Sequence, residues 1–243
     1  MEILSLGLGE QLTDYEAAWA IQREVHAQVA AGRRPNTLLL VEHESVYTAG
    51  RRTAHYDRPK DDTPVIEVDR GGRITWHGPG QIVVYPIVKL TEPIDVIAYV
   101  RALEEAVIEV CAGMGVPTER VEDRTGVWVR ADARGRDRKV CAIGVRTARN
   151  VTMHGIALNC EPDLSRFGII VPCGISDADV TSLSHELMRR VPISEVVGPL
   201  VAALRKHLAP LVEDLPISAP PALPIAGTSP WVDDAAAPGA RVP

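Results

Sequence analysis

From Gly126 to Pro172 the chain runs through four strand-like stretches with short polar connections and no helix between them. They are GVWVR (126–130), KVCAIGVR (139–146), VTMHGIALN (151–159) and GIIVP (168–172). ARGRDR (133–138) reads as the polar loop of a hairpin joining the first two. The preceding half mixes helices and strands. Asp14 is a suitable N-cap for a helix over 14–31, where Ala18, Ile21, Val25 and Val29 recur at helical spacing and Gly32 closes the pattern. TLLLVEH (37–43), PVIEVD (64–69) and IVVYPIVKL (82–90) read as strands, and Pro86 assigns the last to a sheet edge or a bulge. Asp95 caps a second helix over 96–114, with Val96, Val100, Leu103, Val107, Val110 and Met114 on one face and Gly115 ending it. A last helix runs from about Ser194 to Leu208, with Pro199 disturbing its first turns. Helix, strands, helix, then a run of strands predicts one α/β (α+β) domain. Its sheet is mixed and mostly antiparallel with flanking helices, rather than doubly wound.

Composition narrows the function. At 46% apolar, 243 residues can bury a proper core, and a single phenylalanine leaves that core to Val, Leu, Ile and Ala. A formal charge of −6 argues against nucleic-acid binding, which needs a basic surface to neutralise phosphates. No apolar run approaches the roughly 18 residues of a membrane span, and MEILSLGLGEQ lacks the features of a signal peptide. Cys111, Cys141, Cys160 and Cys173 form no C-x-x-C pair and no zinc-like cluster. Free thiols in a reducing cytoplasm, with no metal and no cofactor, are expected. The catalytic domain is assigned to residues 1–210. The Pro/Ala-rich stretch 211–243 is expected to be disordered, since seven of the nineteen prolines fall from residue 214 onward.

Two stretches carry candidate chemistry. In RGGRITWHGPGQIVVYP (70–86), Gly71-Gly72 and Gly78-Pro79-Gly80 permit close backbone approach to a ligand. Arg70, Arg73 and His77 offer donors, and Trp76 and Tyr85 an apolar wall. Two tight turns between strands would account for the same residues. The loop is neither a Walker loop nor a dinucleotide fingerprint. In VPCGIS (171–176), Cys173 ends an apolar stretch before a glycine, a context suited to a nucleophile; a small buried hydrophobe is the alternative. Cys111, Cys141 and Cys160 sit in or beside apolar elements and read as buried. A thiol of pKa about 8.5 needs a base or cation, and His77, His154 and Lys139 are available. Spacing alone cannot bring residue 139 to residue 173.

LLLVEHESVYTAGR (38–51), DRGGRITWHGPGQIVVYP, RKVCAIGVR, HGIALN and VPCGI occur in this order, and together they resemble the lipoyl(octanoyl) transferases, in particular the actinobacterial ones. The likeness covers about residues 3 to 190. It implies the α/β fold shared with the catalytic modules of biotin and lipoate protein ligases. It implies octanoyl (or lipoyl) transfer from octanoyl-acyl carrier protein to lipoyl domains of 2-oxoacid dehydrogenase complexes and to the glycine cleavage H protein. The implied nucleophile is Cys173 and the implied activating group Lys139. The implied substrate contacts are Arg70, Gly71, Gly72, Arg73, Ile74, Thr75, Trp76 and His77. Further contacts fall on Ala142, Ile143 and Gly144, and on Gly155, Ile156 and Ala157. His77 and His154 are assigned to positioning. Trp76 stands where many relatives have Tyr, and Ile156 where many have Leu; both keep an apolar contact.

An ATP-dependent lipoate or biotin protein ligase would explain the glycine loop equally well, but has no need of Cys173. A cysteine hydrolase would pass the acyl group to water. A non-catalytic scaffold for lipoyl domains is expected to lack Cys173 or Lys139, and both are present.

Overall fold

The computed structural model describes residues 1–59, 63–170 and 178–215. The main sheet is built from β1 (Glu2–Ser5), β2 (Thr37–Val41), β6 (Gln81–Ile87), β10 (Val151–Asn159), β9 (Arg138–Ala148), β8 (Arg124–Val129) and β7 (Glu119–Val121), in that spatial order. β1 pairs with β2 in parallel and the remaining neighbours are antiparallel. Short β11 (Asp179–Val180) adds a parallel pairing to β9, Val180 lying against Lys139. β3 (Val46–Ala49), β4 (Val65–Glu67) and β5 (Thr75–His77) form a separate three-stranded sheet. The mixed, mostly antiparallel architecture expected from the sequence is therefore present.

Helices cover both faces of the main sheet. α2 (Val96–Gly113) and α4 (Ile193–Leu208) pack on one face with Leu38, Leu40, Ile82 and Val84. α1 (Tyr15–Ala30) packs on the other with Leu39, Val41, Val83 and Tyr85. Successive residues of β2 and β6 thus serve opposite layers, which is why both strands read as unbroken apolar runs. Asp14 and Asp95 cap α1 and α2 by accepting from the N–H groups of Ala17 and Ala98. α4 continues through Pro199. Between α3 (Leu183–Leu187) and α4 the chain turns at Met188. No helix among the described residues is long and apolar enough to cross a membrane.

Three expectations are corrected. β6 is not an edge strand, because β2 and β10 flank it. The Ile156↔Val84 register and the Val151↔Lys89 bridge place Pro86 across from His154. There His154 adopts φ 57°, and its N–H bonds to Gln22 Oε1 rather than to β6. The missing proline donor is thus met by a local break in the ladder. Residues 168–170 are not strand: Gly168 and Ile169 lie in a 3₁₀ turn over Leu164–Ile169 and Ile170 caps it, while Val171 and Pro172 are outside the described residues. Finally, residues 211–215 are not a loose tail. Val212 bridges Leu90, the Glu213 N–H donates to the Lys89 carbonyl, and Leu215 joins the α1 face of the core.

The ladder break sets a tight contact beside the cavity described below. A Cβ on Gly155 would lie 2.2 Å from the Val84 carbonyl oxygen and 2.6 Å from Pro86 Cδ. These atoms belong to β6, which is held between β2 and β10 and has little room to yield. Gly155→Ala is expected to destabilise the fold by about 3 kcal/mol, read as a lowered urea midpoint at unchanged slope. An unshifted midpoint would mean that β6 and β10 separate freely.

Candidate active site

One cavity of about 430 Å³ opens between the glycine loop, the main sheet and the N-terminal part of α2. Arg70, Gly71, Gly72 and Arg73 form its loop side, with Thr75 and His77 of β5 beyond them. Lys139, Ala142, Ile143 and Gly144 of β9 and His154, Gly155, Ile156 and Ala157 of β10 form the sheet side. Ile74 and Trp76 do not line it. Side chains alternate along β5, so Thr75 and His77 face the cavity while Trp76 turns into a separate core with Tyr47, Phe167 and Ile170. The Trp76 indole meets Phe167 edge-on at 5.4 Å and donates to Ser45 Oγ. Gly78-Pro79-Gly80 also stands away from the cavity, as the turn between β5 and β6. Cys173 lies outside the described residues, between Ile170 and Ala178. Cys111, Cys141 and Cys160 are buried, and burial pushes their thiols up, that of Cys111 to about 12.

Lys139 is nearly buried. Its ammonium donates to the Thr125 carbonyl at 3.1 Å and sits 4.6 Å from the centroid of the Trp128 ring. Arg70 is an organiser of the loop. Its guanidinium donates to the Gly71 and Arg73 carbonyls and to the carbonyl and hydroxyl of Thr48. The Gly71 N–H donates to the Val145 carbonyl, which ties the loop to β9.

Asp69 ties the same loop to β10. It accepts from Arg146 and, at 2.7 Å, from His154 Nε2. The hydrogen bond from His154 holds the Asp69 carboxyl below the usual range, while burial keeps His154 below its ordinary value. His154 is therefore neutral, with its proton on Nε2 and Nδ1 bare. His77 is also neutral, since burial lowers it strongly. Gln81 Nε2 donates to Asn159, so Gln81 Oε1 accepts from His77 Nδ1–H at 2.7 Å. This leaves His77 Nε2 as an acceptor.

Sequence reasoning missed the residues behind this wall. Tyr15 lines the cavity and stacks on His77 with ring centroids 5.9 Å apart. The Tyr85 hydroxyl donates to His43 Nε2 at 2.7 Å, because His43 Nδ1–H is spent on the Thr13 carbonyl. Burial pushes Tyr15 up to about 12 and His43 down to about 4. His43 stands inside the LLLVEHES stretch, and a polar residue closing an apolar strand was the available signal.

These histidines make a pH prediction. A folded pKa below the unfolded value near 6.5 means that the unfolded chain binds the proton first. The stability they allow is complete above pH 6.5 and is lost as pH falls toward 4. The depressed carboxylates Asp69 and Glu186 act only below their ordinary values near 4, so the window from pH 6.5 to 5 isolates the imidazoles. His43 alone is expected to cost about 1.4 kcal/mol at pH 5.5 relative to pH 7.5, measured by urea unfolding. His43→Gln is expected to flatten that dependence. An equal slope in the variant would remove His43 from the account.

Residues 14–205 match the lipoyl protein ligase A/B catalytic domain. The chain belongs to that family. Among its relatives, it is 57% identical over 199 residues to the octanoyltransferase of Salinispora tropica, covering 82% of this chain and 92% of that one. It is 61% identical over 185 residues to the octanoyltransferase of Mycobacterium avium, covering 76% and 78%. As a member of this group the chain is an acyltransferase. Solved structures agree on the fold. A lipoate-protein ligase A bound with ATP aligns at TM-score 0.61 and 15% identity over 86% of each chain. A bipartite lipoate protein ligase from Thermoplasma acidophilum aligns at TM-score 0.62 and 14% identity, over 86% of this chain and 84% of that one.

Proposed function

We propose that this acyltransferase moves an octanoyl group from octanoyl-acyl carrier protein to the target lysine of lipoyl domains and of the glycine cleavage H protein, in the cytoplasm, through a thioester on Cys173. The observation that carries the reading is the cavity itself, which joins an acyl-sized space to the nearly buried side chain of Lys139. Its volume falls in the range of small-molecule sites. An octanoyl chain buries six methylenes, worth about 5 kcal/mol at 0.8 kcal/mol each, and Val83, Ile143, Ile156 and Ala157 supply apolar wall. β11, which follows the Cys173 segment in the chain, pairs directly beside Lys139.

Two acyl transfers follow. Lys139 takes the Cys173 proton as the neutral amine, or pairs with the thiolate as the ammonium, and the thiolate attacks the donor carbonyl. The carrier thiolate leaves as the C–S bond to the acyl group breaks and recovers a proton from Lys139 or from solvent. The acceptor lysine gives its ammonium proton to Lys139 or to solvent and attacks the acyl-enzyme as the neutral amine; the C–S bond to Cys173 breaks as the amide forms, and the proton that the amine nitrogen then sheds returns to the Cys173 thiolate. Intact mass spectrometry after mixing with octanoyl-acyl carrier protein tests the scheme. A gain of one octanoyl group, absent in Cys173→Ala and cleared by lipoyl domain, is expected. Transfer without any adduct would overturn the covalent route, and transfer of free octanoate only with ATP would make the chain a ligase.

A further inference from the structure

The cavity of this acidic chain is lined by cations. Among the described residues, Arg52, Arg70, Arg73, Arg124 and Lys139 line it with one carboxylate, Asp123, although the formal net charge is −6. Most of these cations have internal partners. Arg70 holds the glycine loop, Arg73 reaches the buried Asp57, Arg124 lies over Trp128, and Lys139 contacts Thr125 and Trp128. Arg52 differs. Its side chain, like that of neighbouring Arg51, is exposed and makes no hydrogen bond or ion pair among the described residues.

The backbone beneath these two side chains is nevertheless fixed. The Arg51 N–H donates to the Arg70 carbonyl at 3.1 Å and the Arg52 N–H to the Gly72 carbonyl at 3.0 Å. A Cβ on Gly50 would stand 2.6 Å from the Gly72 oxygen, so the close approach of the two segments needs glycine there. The turn that carries both guanidinium groups is thus anchored, with Arg52 lining the cavity and Arg51 adjacent to it in the chain. An octanoyl chain gives them nothing to bind, and an acceptor ammonium would be repelled. On the reacting arm itself, the donor brings a fixed negative charge, at the phosphodiester of its pantetheine arm. Guanidinium forks match phosphate oxygens.

We propose that Arg51 and Arg52 form the site for that phosphodiester, an inference that rests on the carrier-protein donor proposed above. Competition against binding of fluorescently labelled octanoyl-acyl carrier protein tests it without requiring turnover. For the wild-type chain, 4′-phosphopantetheine is expected to compete at least tenfold better than pantetheine. In an Arg51→Ser, Arg52→Ser double variant that preference is expected to fall below threefold, with an unchanged melting temperature. Equal competition by the two compounds in the wild type would overturn the proposal. So would a preference that survives in the double variant. Weakened carrier binding with the preference intact would assign the pair to the carrier's protein surface instead, which also overturns it. A wild-type chain that keeps the preference but transfers no octanoyl group would sink the proposed reaction and leave the phosphate site standing.

Discussion

Lys139→Met is expected to lower kcat/KM for octanoyl transfer by about 10²–10⁴, the range contributed by a positioned general base or acid. Methionine keeps the length of the stem against Trp128 and Gly126, so the β8–β9 contact survives and the loss is chemical. The measurement is single-turnover acylation by octanoyl-acyl carrier protein, followed separately by discharge to a lipoyl domain. If Lys139 serves only the thiol, acylation slows and a pre-formed acyl-enzyme discharges normally. If it also receives the proton of the incoming ammonium, both phases slow. Lys139→Arg separates charge from basicity, because arginine remains protonated. Recovery of acylation in that variant would make Lys139 a cation that stabilises thiolate. Continued inactivity would make it a base. A Lys139→Met chain with wild-type rates in both phases would remove the residue from the mechanism.

The layers of the fold were legible because local chemistry and packing agree in them. Asp14 and Asp95 cap the helices they announce, and the unbroken apolar character of TLLLV and IVVY follows from burial on both faces. The readings that failed concern places where a third partner decides. Pro86 reads as a sign of a sheet edge or a bulge, and only the edge fails: His154, distant in sequence, turns its backbone aside and hands its N–H to Gln22. Val212 and Glu213 look like the start of a tail until Leu90 and Lys89 offer them a strand edge.

The candidate site divides in the same way. Glycines and cations near the cavity announced themselves by type and company, as Gly71, Gly72 and Lys139 do. Trp76 reads as an apolar wall only while the loop is one contact surface. The two-residue period of β5 instead sends Thr75 and His77 one way and Ile74 and Trp76 the other. Tyr15 carries no motif signal of its own, and His43 only its place at the end of the apolar LLLVEHES stretch. Their place in the wall follows from the packing of α1 and β2 against β6, which brings residues 15, 43 and 85 together.

A second large effect is expected away from the cavity. Arg138, next to Lys139 on β9, makes a two-pronged contact with Glu186 of α3 at 2.6 and 2.8 Å, and both side chains are almost fully buried. Burial alone would raise the Glu186 carboxyl, but hydrogen bonds from Arg138 and Thr181 outweigh it and hold it below its ordinary value. Arg138→Met strands that carboxylate with only Arg134 and Thr181 beside it. The loss of a buried partner costs about 3–5 kcal/mol, and the surviving Arg134 contact puts this case near 3 kcal/mol. Adding Glu186→Gln removes the stranded charge, so the double variant is expected to be more stable than Arg138→Met by about 1–2 kcal/mol. A double variant no more stable than the single one would show that packing, not charge, accounts for the loss. The pair also bears on the site. Glu186 accepts from the Thr181 hydroxyl, the Thr181 N–H donates to the Lys139 carbonyl, and β11 is thereby fastened beside Lys139 at the point where the chain returns from Cys173. Acylation by Arg138→Met, assayed well below its melting temperature, is therefore expected to slow even though the residue touches no substrate, and the added Glu186→Gln is expected to restore stability more fully than rate.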